Sequence, residues 1–564
     1  MAASRARRFT VVAQDPGVRR RGRIVTGAVS LPYEELDPGP VGHRVHVVDY
    51  DATQRVLLAP AEVADGDTAP TTQQILTDPG FHAQNVYAVV MTTLLRFESA
   101  LGRRVSWGFP AHQLKVVPHA FEMANAFYSA DDEALLFGWF RRAGKPVFTC
   151  LSHDIVVHET THALVDGLRK GFMRPSSADQ AAFHEGFADI VALLSVLAMD
   201  EITTTLVTVG ATVKGGIVDR SAVTVEALRR GLLFGLAEQM DAGLSAARID
   251  ALRRSVELPP APHILALAEF AEPHRRGEVL VAAVMNAFLD VWQRRLAPLG
   301  AADGSGGLDL RRVAEEGAVV AQQLLTAAIR GLDYTPPIHL TFGEFLSAVL
   351  TADTEVRADD TRYGLRAALV RWFAAYGIAP AGEGPDGLWP RSEIALVRDG
   401  IRFGSLRSDT TEMFRLLWSN REALGLQQPA YTRVTSVRPC LRVGPEDGLP
   451  VQETVAECLQ YLDITAAELG RFGLVAPAGM RDDQRVVLQG GSTLVLDEYG
   501  TLKYQIRNTV PGDGDPASTA EAQERLQYLW DHGYMREGAS FVNRLSDLHR
   551  LRALAGPVEP AQEW

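Results

Sequence analysis

The chain contains little cysteine: Cys150, Cys440 and Cys458 are the three cysteines among its 564 residues. Three thiols cannot form a disulfide framework, and these three lack the close spacing of a cysteine-based metal motif. Such low cysteine usage is typical of a reducing compartment. The sequence near its start has no apolar run long enough for a signal peptide. These absences predict a cytoplasmic protein.

Long hydrophobic runs and excess positive charge are also missing. No apolar run approaches the ~20 residues of a membrane span, so no transmembrane segment is predicted. The formal net charge is -13, which argues against a general nucleic-acid binder. Residues 1–23 oppose this trend with seven arginines, and we predict a basic, flexible arm there.

The stretch HDIVVHETTHALVDGL, residues 153–168, contains side chains that could bind a metal ion or take part in catalysis. On a helix, His158 and His162 lie on one face, one turn apart, and can share a metal ion. Glu159 is offset by about 100° and can reach a ligand of that metal instead. In an HExxH motif, two imidazoles hold zinc and the carboxylate takes a proton from a water that the zinc activates. The alternative is a buried helix whose histidines bond to neighbouring carbonyls.

A catalytic zinc needs a third protein ligand, and the next helical stretch offers one. Glu185 and Asp189 are four residues apart and share a face of a helix that is otherwise strongly apolar. Two carboxylates on such a helix need a partner. A zinc ion bound by Glu185, with Asp189 orienting a histidine ligand, would supply it.

HETTH followed by HEGFAD resembles the thermolysin-like (gluzincin) zinc metallopeptidases, whose pattern is HExxH and then ExxxD on the next helix. The resemblance implies His158, His162 and Glu185 as ligands of one zinc per chain. It further implies Glu159 as the general base and Asp189 as the residue that orients His158. The matches cover roughly residues 20–379.

The segment MANAFYSADDEALLFGWF, residues 123–140, reads as two β-prone runs joined by a polar turn, and therefore as a hairpin. It resembles the substrate-binding edge strand of the same family, which carries an Asn-Ala-Phe signature. An edge strand can add a peptide as a further strand. By resemblance, Asn125 and Ala126 would hold the substrate backbone; an ordinary hairpin is the alternative.

A third match concerns His274, which precedes a helix predicted over 278–296. It resembles the family histidine that stabilises the tetrahedral oxyanion, and Glu269, five residues earlier, would orient it. His263 is the competing histidine, and the spacing to the helix favours His274. Further downstream, LTFGEFLSAVLTADTEV and LRAALVRWFAAYGI resemble the last helices of the family's helical domain.

The sequence also departs from the family pattern. Asp154 matches a calcium ligand, but Val196 stands where a glutamate ligand is expected, so calcium binding is doubtful. No tyrosine lies in the loop between the zinc helices to act as a second oxyanion donor. His184 replaces the asparagine common before the third ligand, which leaves the partner of His162 open.

The length and composition predict a globular protein of two to four domains. The resemblance implies an α+β fold, that of a two-lobed thermolysin-like zincin, and a C-terminal α+β appendage follows it. After the arm come a β-rich lobe over 24–155, a helical lobe over 156–379 and a linker over 380–390. Residues 391–564 match no motif that assigns a role.

Several elements are nevertheless predicted in this C-terminal part. Asp-Gly and Tyr-Gly turns favour hairpins over 393–406 and 492–506. Residues 452–462 and 464–472 read as helices, and the second weakly resembles a helix-turn-helix element. The end is predicted helical around 520–534.

The sequence thus predicts a zinc-dependent metallopeptidase, most simply an endopeptidase, acting on peptides or proteins. Two alternatives stay open. The C-terminal appendage would cover the cleft and make the enzyme self-gated, or the chain would be an inactive zincin that binds peptides or partners.

Overall fold

The structure is a computed structural model. It describes residues 6–17, 19–20, 22–63, 70–142, 144–209, 211–232, 252, 254–300, 306–361, 363–384, 386–444, 448–512 and 516–535. Within them helices and several separate sheets are mixed along the chain, which confirms the predicted α+β class. The last residues of the predicted C-terminal domain, 536–564, lie outside the described residues.

The helices are α1 (Thr72–Thr77), α2 (Pro79–Leu101), α3 (His153–Leu168), α4 (Ala178–Leu197), α5 (Asp200–Thr208), α6 (Pro273–Leu296), α7 (Leu310–Gly331), α8 (Phe342–Thr354), α9 (Leu365–Ala375), α10 (Phe403–Leu406), α11 (Thr410–Ser419) and α12 (Pro516–Asp531). The strands before α3 are β1 (Ala6–Val12), β2 (Arg19–Arg20), β3 (Arg23–Ile24), β4 (Thr26–Pro32), β5 (Val45–Val47), β6 (Tyr50–Asp51), β7 (Val56–Leu57), β8 (Leu114–Glu122), β9 (Ala126–Ser129), β10 (Ala134–Arg142) and β11 (Lys145–Phe148). Those after it are β12 (Val213–Lys214), β13 (Ile217–Val218), β14 (Leu308–Asp309), β15 (Tyr431–Val443), β16 (Pro450–Thr465), β17 (Arg485–Leu496) and β18 (Leu502–Asn508).

One sheet leads to the candidate site. Its strands follow the order β11-β10-β8-β5, with β8 parallel to β10 and to β5, while β9 also pairs with β10. The β9–β10 hairpin is confirmed: Ser129 pairs with Ala134 in an antiparallel register. The Ser129 hydroxyl donates to Asp132 at 2.7 Å, which closes the polar turn.

The prediction of a flexible N-terminal arm is wrong for residues 6–12. Strand β1 pairs with β4 along its whole length, from Ala6 opposite Pro32 to Val12 opposite Thr26. Val11 and Val12 are completely buried. The apolar side chains between the arginines are buried against the core, and that burial fixes the segment.

A single buried apolar cluster runs from Phe9 to Ile378. It joins the N-terminal sheets to α2, α3, α4, α6 and α7, so the regions predicted as two lobes share one core. Helix α4 is long and apolar enough to cross a membrane, but 89% of its apolar window is buried inside the molecule. Its composition therefore reflects a core helix, and it carries the two predicted site carboxylates.

The C-terminal part is built on an antiparallel sheet in the order β15-β16-β17-β18. The hairpin at 492–506 is confirmed by the β17–β18 pairing. The helix predicted over 452–462 is wrong, because these residues lie in β16. Residues 453–458 of that strand are all buried, so the alternation of buried and exposed side chains that identifies a half-buried strand is missing there.

Two further C-terminal predictions change. Residues 393–402 form no strand, and the helical turn α10 follows them, so the hairpin at 393–406 is wrong. Residues 466–472 form a 3₁₀ helix directly after β16, which is not a helix-turn-helix arrangement. The predicted final helix is confirmed as α12.

A buried ion-pair network joins the C-terminal sheet to the core. Asp333 follows α7, and Arg103 donates to its two oxygens at 2.5 and 2.6 Å. Arg442 of β15 pairs with both Asp333 and Glu453 of β16. The side chains of Asp333, Arg442 and Glu453 are at most 2% exposed. The C-terminal sheet is therefore a packed part of the molecule.

The polypeptide just after β1 contains an unusual carboxyl group. Asp15 is completely buried, and the Gly17 N–H donates to its Oδ1 at 2.7 Å. Burial raises the pKa of Asp15 to about 8; the Gly17 N–H opposes this shift and the charge of Asp154 adds to it. Asp15 is thus protonated in the folded chain at neutral pH, whereas the unfolded chain ionises it. Its contribution to stability falls as the pH rises from about 4 to 8.

Asp15→Asn should therefore stabilise the chain by an amount that grows with pH. The gain should be near zero at about pH 4 and reach a few kcal/mol towards pH 8, since one pKa unit is about 1.4 kcal/mol. Urea unfolding followed by circular dichroism across this interval measures it. Asp463→Asn, at an exposed position of β16, is the control. A gain from Asp15→Asn that is the same at every pH would contradict the assignment.

Candidate metal centre

Helix α3 brings the two motif histidines together. His158 and His162 are 2% and 1% exposed, and their Nε2 atoms are 2.9 Å apart. The ring planes are nearly perpendicular, with centroids 4.5 Å apart. The i, i+4 spacing thus produces the shared face that the sequence predicts.

Helix α4 adds the third predicted side chain. The Glu185 carboxylate lies 3.5 Å from His158 Nε2 and 3.6 Å from His162 Nε2. His158, His162 and Glu185 form a buried group whose ligand atoms all lie within 4.8 Å of one another. The predicted ligands therefore meet at one point, from two different helices.

A glycine pair allows a third helix to approach this point. A Cβ added at Gly186 would lie 3.0 Å from the Gly277 carbonyl oxygen, which is tighter than a normal contact. The backbones of α4 and α6 therefore pack directly against each other here. Larger residues at either position would push α6, and His274 in its first turn, away from Glu185.

Asp189 lies beside His158, as the sequence predicts. One of its oxygens lies 2.8 Å from His158 Nδ1. An ionised carboxylate only accepts, so Nδ1 carries the proton and Nε2 presents a lone pair to the group. This is the usual outer partner of a metal-ligating histidine.

His184 is the partner of His162 that the sequence left open. The two Nδ1 atoms are 3.2 Å apart, and the ring centroids are 5.4 Å apart. When His162 donates from Nδ1 to His184, its Nε2 presents a lone pair to the same point as His158. A histidine directly before the third ligand was the only sequence signal for this contact.

The fit to a divalent cation follows from these donors. Two ring lone pairs face each other at 2.9 Å, with a carboxylate beside both. Facing lone pairs repel unless a cation lies between them. Two imidazoles and one carboxylate are a typical donor set of a catalytic zinc site. The residues therefore suit zinc.

Glu159 lies between this group and the edge strand. It is 1% exposed, and the Tyr128 N–H of β9 donates to its carboxylate at 3.2 Å. The Tyr128 hydroxyl donates to Asp166 at 2.8 Å, two turns further along α3. These two bonds hold β9 along α3, so the predicted base and the predicted peptide-binding strand are adjacent.

The two predicted substrate residues lie at the start of β9. Successive N–H groups of a strand point to opposite sides, so the Ala126 N–H faces the same side as that of Tyr128. Asn125 precedes the strand, and its carbonyl accepts from the Gly138 N–H at 2.8 Å. The Asn125 carbonyl is thus already engaged within the sheet.

His274 lies near the group, in the first turn of α6, because this helix begins at Pro273 and not near residue 278. Its Nε2 is 3.7 Å from a Glu185 oxygen. The group therefore faces the ring nitrogen that the predicted oxyanion role requires.

The prediction that Glu269 orients His274 is wrong. Glu272 lies 2.6 Å from His274 Nδ1, whereas Glu269 is more than half exposed and pairs with Arg275. Burial opposes ionisation of Glu272, but the hydrogen bond and charge of His274, together with the backbone N–H groups of Arg275 and His274, outweigh it and lower the pKa of Glu272 to about 2. A short 3₁₀ turn over 268–271 separates the two glutamates, and only the tertiary structure shows which one reaches the ring.

The predicted calcium position is incomplete in the structure as well. Asp154 lies at the start of α3, where the Ser152 hydroxyl donates to it at 2.5 Å. Val196 is a buried apolar side chain of α4 and offers no ligand atom. Calcium binding is not supported by these residues.

A cavity of about 870 Å³ lies between the end of α3, residues 337–339 and the C-terminal sheet. Its lining includes none of the predicted ligands and not Glu159. Cavity volume alone therefore does not identify the candidate metal site. The site is identified by its donor atoms, which converge and are of types that bind metal ions.

No protein-family model matches this chain, and no curated protein is detectably similar to it in sequence. The function must therefore be argued from the site itself.

Proposed function

We propose that this chain is a zinc-dependent metallopeptidase of the thermolysin-like type, acting as an endopeptidase. The observation that carries the proposal is the meeting of His158, His162 and Glu185, with Glu159 next to the edge strand. A zinc ion in such a site supplies Lewis-acid polarisation of a carbonyl and activation of a water. The peptide would lie along β9, whose outward backbone groups include the Ala126 N–H.

Each side chain then has a defined task. Glu159 receives the proton of the attacking water and delivers it to the leaving amine. His274, held at Nδ1 by Glu272, donates from Nε2 to the oxygen that becomes negatively charged. Asp189 and His184 hold the two histidine ligands in the tautomers that leave their Nε2 atoms to the metal.

The test compares wild type and Glu159→Ala in metal analysis and in cleavage of a quenched peptide or casein. Zinc in both with cleavage by the wild type alone supports the proposal. Zinc in both without any cleavage favours a latent enzyme or a peptide-binding zincin. A chain without zinc at His158 and His162 contradicts the proposal.

The contact between Glu272 and His274 gives a sharper test of the oxyanion role. Glu272→Gln should lower kcat by about 10- to 100-fold, as expected for loss of an orienting partner. KM should change little. Steady-state kinetics measure both quantities.

Glu269→Gln is the matched control, since Glu269 is three residues earlier and pairs with Arg275 instead. Its kinetics should equal those of the wild type. If Glu269→Gln lowers kcat and Glu272→Gln does not, the assignment of the orienting residue is wrong.

A further inference from the structure

A second group of metal-type donors lies in the N-terminal part of the core. His82, His119 and Cys150 are 1%, 5% and 0% exposed, and their ligand atoms lie within 4.8 Å of one another. His82 belongs to α2, His119 to β8 and Cys150 to the 3₁₀ turn before α3. Three separate elements therefore direct one donor each to a single buried point.

The hydrogen bonds fix which ring nitrogens face that point. His82 Nε2 lies 2.9 Å from the Ile75 carbonyl oxygen, which only accepts, so Nε2 carries the proton. His119 Nδ1 lies 2.8 Å from an Asp49 oxygen and carries its proton for the same reason. The remaining nitrogens, His82 Nδ1 and His119 Nε2, face each other at 2.8 Å. With both outer bonds made, two neutral rings present two lone pairs to each other.

Facing lone pairs require a cation between them, either a proton or a metal ion. We propose that His82 Nδ1, His119 Nε2 and Cys150 Sγ bind a second zinc ion, separate from the one at His158 and His162. The thiol favours the metal ion, because Cys150 offers a third ligand atom within 4.8 Å of those of both histidines.

The surroundings match those of known metal-ligating histidines. Such rings usually donate their second N–H to a carboxylate or a backbone carbonyl, and here Asp49 and the Ile75 carbonyl are those partners. Asp189 serves His158 in the same way in the first group. The Phe148 ring lies 4.7 Å from the His82 ring and 4.9 Å from the His119 ring, and it shields both from water.

The position suggests a structural ion. Cys150 lies three residues before the start of α3, and the Asn85 amide of α2 already donates to its carbonyl at 3.0 Å. A zinc ion here would tie the start of α3 to α2 and β8, and so hold the helix that carries His158. Zinc binds the thiolate, so binding releases the thiol proton to solvent and strengthens with pH. This inference does not depend on peptidase activity.

The experiment measures metal per chain and the spectrum of the cobalt-substituted protein for four full-length chains. We expect two zinc ions in the wild type and one in His162→Ala. We expect one in Cys150→Ser and two in Cys458→Ser, the matched control at another fully buried cysteine. Only the second site contains sulfur, so the thiolate-to-cobalt charge-transfer band should persist in His162→Ala and vanish in Cys150→Ser.

Asp49→Asn adds a graded result. It should weaken zinc binding at the second site by about 10- to 100-fold, as expected for loss of a carboxylate behind a histidine ligand. Its readout is a zinc titration of His162→Ala combined with Asp49→Asn.

The wild-type spectrum keeps the inference falsifiable even if Cys150→Ser does not fold. Absence of the charge-transfer band from the wild type overturns the proposal and leaves a proton between the two rings. A band that survives Cys150→Ser and vanishes in Cys458→Ser overturns it as well. Loss of cleavage with the band intact would contradict the proposed function alone.

Discussion

Glu159→Ala should strongly slow peptide hydrolysis while the zinc content of the chain stays that of the wild type. General acid–base catalysis by a positioned carboxylate contributes about 10²- to 10⁴-fold, so kcat should fall by that factor. Metal binding should survive, because His158, His162 and Glu185 supply the donors and Glu159 accepts from the Tyr128 N–H instead. Initial rates on a quenched peptide, together with metal analysis of the same samples, measure both quantities.

A matched control is Glu498→Ala, at an exposed glutamate in the β17–β18 turn. It should leave rate and metal content unchanged. If Glu159→Ala cleaves at the wild-type rate, the proton is transferred by another group and the proposed mechanism fails. If it loses zinc as well, the residue acts in metal binding or folding.

Asp333→Ala should strongly destabilise the chain. Burial opposes ionisation of Asp333, but Arg103 and Arg442 outweigh it and hold its pKa well below the usual range. Removing the carboxylate leaves two buried guanidinium groups facing each other. Breaking a buried pair in this way costs about 3–5 kcal/mol, which is a large share of the stability of a typical domain. Thermal and urea unfolding measure it.

The control is Asp463→Ala, which removes the partner of Arg485 on the surface of the C-terminal sheet. Surface pairs contribute little, so its unfolding should match that of the wild type. The effect of Asp333→Ala should also shrink below about pH 4, where the unfolded chain no longer ionises this carboxyl. Equal effects of the two substitutions would contradict the role given to the buried network.

The same network bears on the self-gating alternative. Arg442 and Glu453 lie in the C-terminal sheet, and Asp333 lies in the core. Truncation after residue 378 would remove Arg442 and Glu453 from the buried network and expose apolar side chains that the sheet now covers. If the truncated chain fails to cleave, the cause would be loss of folding. Loss of a lid would instead raise the rate of cleavage.

Local spacing determined much of the first candidate metal site. The i, i+4 period of a helix places His158 beside His162 and Glu185 beside Asp189, whatever the rest of the chain does. The β9–β10 hairpin likewise follows from two β-prone runs around a polar turn. These features depend on contacts between near neighbours, which a sequence encodes directly.

Other features depended on choices that only packing makes. Glu272 and Glu269 are equivalent by composition, and the 3₁₀ turn before α6 decides that Glu272 reaches His274. Strand β16 was misread as a helix, because burial on both faces removes the alternation that identifies a strand. The basic segment at the N-terminus forms strand β1 because its apolar residues are buried against the core.

The proposed second metal site is the clearest case of tertiary control. His82, His119 and Cys150 are separated by more than thirty residues each in sequence, so no spacing motif links them. Sequence alone indicated a cysteine-poor α+β chain with one helix-encoded set of candidate metal donors. The tertiary structure decided which distant side chains share a buried point, since that depends on how α2, β8 and the turn before α3 pack together.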